Sequence, residues 1–135
     1  MDLLSAIMWL TLNIYHEGRG EDPLAQIAIA HVTLNRAEES GKSMKKVILD
    51  HKQFSWTHNK RSWTPTEWAA LEDCFKNATV AMQGHDFTGG ATHYHHKNVK
   101  PIWRKKMLYL GDFGSHKFYK ERPTIKVSNI KIKRR

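Results

Sequence analysis

The sequence predicts an α+β fold: a mostly helical body with a small antiparallel β region near the C-terminus. Three observations predict it. Up to Gly84, apolar residues recur at helical spacing, with start and stop residues at the ends of each run. After Gly89-Gly90 the runs turn short and aromatic, and Gly111-Asp112-Phe113-Gly114 interrupts them as a hairpin turn would. The chain has 135 residues, 40% of them apolar, which suits one domain with a real core.

Each element follows from local residues. Residues 3–17 are apolar nearly all round, which predicts a central buried helix. Gly18 and Gly20 stop it. Asp22 then caps a second helix with Pro23 at its first position. That helix runs to about Glu38 with Leu24, Ile27, Ala28, His31 and Leu34 on one face, and Ser40-Gly41 ends it. Ser43 caps a short helix through Asp50. Periodicity fails from His51 to Trp63, where Gln53-Phe54-Ser55-Trp56-Thr57 reads as an aromatic, polar loop. Thr64-Pro65-Thr66-Glu67 has the form of a capping box. The helix it opens sets Trp68, Leu71, Phe75, Ala78 and Met82 at core spacing before Gly84. Residues 91–96 predict a short strand, and 107–110 with 116–119 a hairpin. Residues 124–132 alternate enough to add an edge strand.

Composition excludes several classes. A single cysteine, Cys74, rules out an intramolecular disulfide framework, and its helical context makes it a small buried residue. No run is long enough to span a membrane. Residues 1–14 are apolar, but Asp2 stands where a signal peptide is basic, so no export address is expected. The formal charge of +9 is uneven: from Lys120 to Arg135 there are seven basic residues against one acid, Glu121. Such a tail seeks polyanions. Nucleic acid is not the expected partner, because the tail carries no interleaved aromatics.

Three constellations carry chemistry. In Ile14-Tyr15-His16-Glu17-Gly18-Arg19-Gly20-Glu21, an apolar helix delivers one carboxylate to a glycine-flanked end. Leu10 and Ile14 share the face of Glu17, so burial should raise its pKa, as a general acid at neutral pH requires. The alternative is a solvated helix end. Gln53, Phe54, Ser55 and Trp56 offer the mixture of flat apolar surface, amide and hydroxyl that a polysaccharide cleft needs, as do Tyr94 and Trp103. Phe54, Trp56 and Trp103 could equally pack the core. His16, His31, His93, His95 and His96 form a third group. They lack a His-Glu-x-x-His motif or a cysteine pair, so no metal or other cofactor is expected, and His31 reads as a hydrogen-bonded histidine on a mostly apolar face.

These residues resemble the spore-cortex-lytic (SleB-like) cell wall hydrolases. The opening run and Gln26-Ile27-Ala28-Ile29-Ala30-His31-Val32-Thr33-Leu34-Asn35-Arg36 are similar to that family's Y-x-E-A-R-G-E and the helix ending in L-N-R. Gln53-Phe54-Ser55-Trp56 resembles its Q-F-S-W loop. Thr92-His93-Tyr94-His95, Pro101-Ile102-Trp103 and Gly114 to Tyr119 resemble its THYH, P-x-W and I-G-x-H-x-F-Y segments. The resemblance spans about residues 3–120, with Gly18 where Ala is usual and Gly114-Ser115 where Ile-Gly is common.

The resemblance implies a lysozyme-like fold over residues 1–121, a basic tail over 122–135, and cleavage of the β-1,4 MurNAc–GlcNAc bond of peptidoglycan. Glu17 matches the catalytic glutamate, and Gln53, Phe54, Ser55, Trp56, Thr92, His93, Tyr94 and Trp103 are the expected substrate contacts. Glu21, Asp22, Asp50 and Asp86 are available as a second acid, but none sits in a partner motif, which favours a lytic transglycosylase over a muramidase. A monomeric phage endolysin is expected, held in the host cytoplasm until released to the cell wall, its tail binding anionic envelope polymers or lipopolysaccharide. A metal-dependent amidase and a non-enzymatic basic module, binding envelope or nucleic acid, are the alternatives.

Overall fold

A computed structural model describes residues 2–50 and 53–123. Helices α1 (Leu3–Gly18), α2 (Pro23–Ser40), α3 (Met44–Leu49) and α4 (Trp68–Gln83) precede a sheet of β1 (His93–His96), β2 (Met107–Phe113) and β3 (His116–Glu121). The fold is α+β, as expected. Local caps set most helix ends. Asp22 accepts from the Ala25 amide at 2.9 Å with Pro23 at the first position, and Ser43 accepts from the Lys46 amide at 3.2 Å. Gly41 closes α2 in the left-handed region, φ 71°.

The capping box expected at Thr64 does not form. The α4 N-cap is Glu67, without a side-chain cap. The buried Tyr15 hydroxyl of α1 instead pins the residues that lead into the helix, accepting from the Thr66 and Glu67 amides at 3.1 and 3.0 Å. The core face of α4 also differs. Cys74, Ala78 and Ala81 are buried, whereas Trp68 and Phe75 are 74% and 49% exposed. The small residues form the buried contact face of α4, and the two rings stand outside it, at the edge of a surface depression shared with α1. Burial pushes the Cys74 thiol up to about 11, so it sits as an inert core group.

The most enclosed helix is α2 rather than α1. Ala25, Ala28, Ile29, Ala30, Val32 and Thr33 are buried, and Leu24 is exposed. In α1 burial begins at Ala6 and is concentrated from Leu10 onward, and Leu3, Leu4 and Met8 face out. His31 is buried with Nδ1 4.0 Å from Asp86 and no hydrogen-bond partner at Nε2 among the described residues, against the expected hydrogen-bonded ring.

The sheet order is β1-β3-β2, all antiparallel. The hairpin turn falls one step later than its glycines suggested. Phe113 pairs with His116, so Gly114-Ser115 alone makes the turn, with Gly114 at φ 58°. A Cβ there would meet Glu21 Oε1 at 2.5 Å and Ala25 Cβ at 2.7 Å, because the tip rests on the start of α2. Glu21 accepts from the Ser115 amide at 2.9 Å and fixes that contact. The expected strand over 124–132 lies outside the described residues.

Candidate active site

Glu17 stands on the last turn of α1, above the buried Leu10 and Ile14. It is only partly buried, but burial is still the largest influence on its carboxyl and raises its pKa. Two groups pull the other way: the Tyr94 hydroxyl, which donates to Glu17 Oε1 at 2.5 Å, and the positive charge of Arg36. Burial and Glu17 together push the Tyr94 phenol well above its usual range, so it stays a donor. All thirteen aspartate and glutamate side chains lie within the described residues, and none of the other twelve is among the groups that shift Glu17.

The four candidates for a second acid are engaged elsewhere. Glu21 holds the Ser115 amide, and Asp22 caps α2. Asp50 lies 3.7 Å from Lys42. Asp86 accepts from the Thr88 amide and hydroxyl, the Gly90 amide and Asn35.

Arg36 is the residue that sequence reasoning missed as part of the site. Its Nε donates to the Thr92 carbonyl at 2.6 Å and its Nη1 to Gln53 Oε1 at 2.9 Å. The preceding Asn35 donates to the Ala91 carbonyl at 2.9 Å. Two consecutive residues of α2 thus hold two consecutive carbonyls at the entry to β1, and this sets Tyr94 against Glu17. The Asn35-Arg36 pair was visible only as the end of the L-N-R run. A cation at the end of a largely buried helix was the signal available.

The expected substrate contacts divide into two groups. Gln53, Thr92 and His93 line one polar depression of about 380 Å³ with Arg36, Lys42, Asp50 and Glu121. Ser55 is exposed at the loop, and Trp103 is half-buried against His93, His95 and Tyr119. Phe54 and Trp56 are 2% and 9% exposed and pack with Ile48 as a second core. A buried ring offers a sugar no face, so these two support the loop instead. Trp56 Nε1 donates to the buried Asn13 Oδ1 at 2.9 Å, and its ring stacks on His16 with centroids 4.4 Å apart.

A larger depression, about 710 Å³, lies elsewhere. Met8, Leu12, Trp68, Leu71 and Phe75 line it between α1 and α4. Glu72 and Lys76 stand at its edge, and Glu17 lines neither this depression nor the polar one; its link to the polar side runs through Arg36 and Tyr94. Among the described residues, no three of His, Cys, Asp and Glu gather as a metal site would require.

Residues 20–119 match the sequence profile of a family described as Cell Wall Hydrolase. The chain belongs to that family. Two solved structures share its fold. The catalytic domain of the germination-specific lytic transglycosylase SleB from Bacillus anthracis is 28% identical, with a TM-score of 0.72, and the match covers 85% of this chain and 93% of that one. The catalytic domain of the Bacillus cereus SleB protein is 26% identical, with a TM-score of 0.74, covering 87% and 91%. No curated protein matches the chain significantly. This cell wall hydrolase is a peptidoglycan-cleaving enzyme that acts on the bacterial cell wall. The family match begins at Gly20, just beyond Glu17, so the case for Glu17 rests on its surroundings.

Proposed function

We propose that this cell wall hydrolase is a lytic transglycosylase in which Glu17 serves as the single acid and base. The observation that carries the reading is the Glu17 carboxyl on the last turn of α1, its pKa raised by burial and its oxygen held by Tyr94, while Glu21, Asp22 and Asp86 are engaged in hydrogen bonds of their own. The Bacillus anthracis neighbour, named as a lytic transglycosylase, supports it.

The chemistry closes on one residue. Protonated Glu17 gives its proton to the oxygen linking MurNAc C1 to GlcNAc, and the C1–O bond breaks. The 6-hydroxyl of the same MurNAc then attacks C1, and its proton passes to the Glu17 carboxylate. A 1,6-anhydro ring forms, no water is consumed, and Glu17 is again protonated. Tyr94 holds the carboxylate oxygen through both steps, and Arg36 supports the charged form between them. A hydrolase would need a second carboxylate about 5–9.5 Å away to attack or to activate water.

Mass spectrometry of digested peptidoglycan tests this. The expected product carries 1,6-anhydro-MurNAc ends, absent in digests by Glu17→Gln. Reducing ends would point to a muramidase, and free stem peptides to an amidase. We further propose a monomeric phage endolysin that waits in the host cytoplasm, its tail binding anionic envelope polymers or lipopolysaccharide; the concentration of charge after Lys120 supports this. Deletion of residues 123–135 should then weaken binding to intact envelopes at low salt. Unchanged binding would remove the tail from the mechanism.

A further inference from the structure

The connection from β1 to β2 has a composition that the glycan chemistry does not explain. Residues 97–106 read Lys-Asn-Val-Lys-Pro-Ile-Trp-Arg-Lys-Lys, with five cations and no acid. None of the five forms an ion pair among the described residues, and Lys97, Lys100, Lys105 and Lys106 are exposed. Ile102 is 84% exposed and Val99 55%.

The segment is built, not loose. The Lys97 amide donates to the Ser115 carbonyl at 2.8 Å and the Val99 amide to the His96 carbonyl at 2.9 Å. A 3-10 turn, Ile102–Lys106, follows, with Arg104 Nη1 on the Pro101 carbonyl at 3.1 Å. Trp103 is the inward anchor, its ring centroid 5.4 Å from those of His93 and Tyr119. In a 3-10 turn residues three apart share a face, so Lys105 stands beside Ile102 while Trp103 points to the sheet. The register also matters. Met107 pairs with Glu121, which puts Lys105-Lys106 at the end of the sheet where the chain passes into Arg122 and the basic tail.

We propose that residues 97–106 dock this protein on an anionic lipid bilayer, with Ile102 and Val99 entering the interface and the lysines meeting phosphate headgroups. The cations alone would suit any polyanion. The two exposed branched side chains decide among polyanions, because a lipid bilayer offers an apolar phase that a soluble anionic polymer lacks. The proposal is independent of how Glu17 cuts glycan.

Co-sedimentation of the full chain with vesicles of phosphatidylglycerol and phosphatidylcholine tests it. Each lysine lost near the surface should weaken partitioning roughly fivefold, so Lys100→Gln/Lys105→Gln/Lys106→Gln should lose about a hundredfold. A control of equal formal charge, Lys45→Gln/Lys46→Gln/Lys60→Gln, should lose far less. Ile102→Ser should cost roughly tenfold and leave binding to soluble polyphosphate unchanged. Melting temperature and peptidoglycan digestion should match the parent in all three. Equal loss in both triple variants would reduce the effect to net charge and overturn the proposal. Vesicle binding indifferent to Ile102→Ser would overturn it too, leaving an anionic polymer as the partner.

Discussion

Replacing Glu17 by glutamine should stabilise this protein while stopping its chemistry, and the stabilisation should grow with pH. Glutamine keeps the shape of the side chain, and its amide oxygen still accepts from Tyr94. What it removes is the ionised state. Burial raises the Glu17 pKa in the face of opposing pulls from Tyr94 and Arg36, so the folded protein disfavours the carboxylate. A carboxyl with a higher pKa folded than unfolded contributes stability below its unfolded pKa and loses it as pH rises through its folded pKa. Each unit of elevation corresponds to about 1.4 kcal/mol at alkaline pH. In a domain of this size about 1 kcal/mol moves Tm by roughly 4 °C, so each unit separates the two proteins by about 6 °C. Water reaching the partly buried side chain trims that figure. Thermal unfolding of both proteins from pH 3.5 to 8.5, followed by circular dichroism, measures it. The difference should be flat below the ordinary glutamate range, open above it in favour of Glu17→Gln, and level off beyond the folded pKa. A difference independent of pH, or one favouring wild type as pH rises, would refute the claim that desolvation dominates at Glu17.

Three further outcomes are expected. Tyr94→Phe removes a group that holds the Glu17 pKa down, so the alkaline limb of the pH–activity profile should move upward. Its kcat on isolated glycan strands should fall on the order of tenfold to a hundredfold, the worth of one charge-assisted hydrogen bond. Trp56→Phe leaves the buried Asn13 Oδ1 without its donor, and urea unfolding should show a loss of about 1–3 kcal/mol. Gly18→Ala puts a Cβ 2.6 Å from Ile29 Cδ1, an overlap that should cost about 1–3 kcal/mol. Adding Ile29→Val should recover most of that loss in a double-mutant cycle, and additive effects would show that the two sites do not share the space.

Features set by neighbouring residues were legible in the sequence. Asp22-Pro23, Gly41 and Ser43 act within their own turns, and each stands where its type requires. The raised pKa of Glu17 was legible for the same reason, since Leu10 and Ile14 share its helix. What escaped depends on contacts far apart in the chain. Trp68 and Phe75 have core spacing, but the face of α4 that meets the body is made by Cys74, Ala78 and Ala81. Phe54 and Trp56 offered two uses of an aromatic ring, and only the position of Ile48 and Asn13 decided between them. Arg36 had no local mark of function, because its partners are a carbonyl and an amide on other segments. Gly18, the departure from the resembled pattern, has a cause that is equally remote: the Ile29 side chain occupies the place of its missing methyl.

The Tyr15 hydroxyl that pins the entry to α4 has a consequence for how the chain assembles. A helix capped by its own sequence can begin alone. Here the amides of Thr66 and the N-cap Glu67, just ahead of α4, wait for an oxygen about fifty residues earlier in the chain. The entry to α4 is therefore fixed only when it meets α1, and that meeting closes a loop containing α2, α3 and the aromatic segment. The same phenol belongs to the residue two positions before Glu17 on α1. Placement of the last helix and orientation of the proton donor's own turn thus become one event, and a nascent chain that stops short of α4 leaves that turn without its brace.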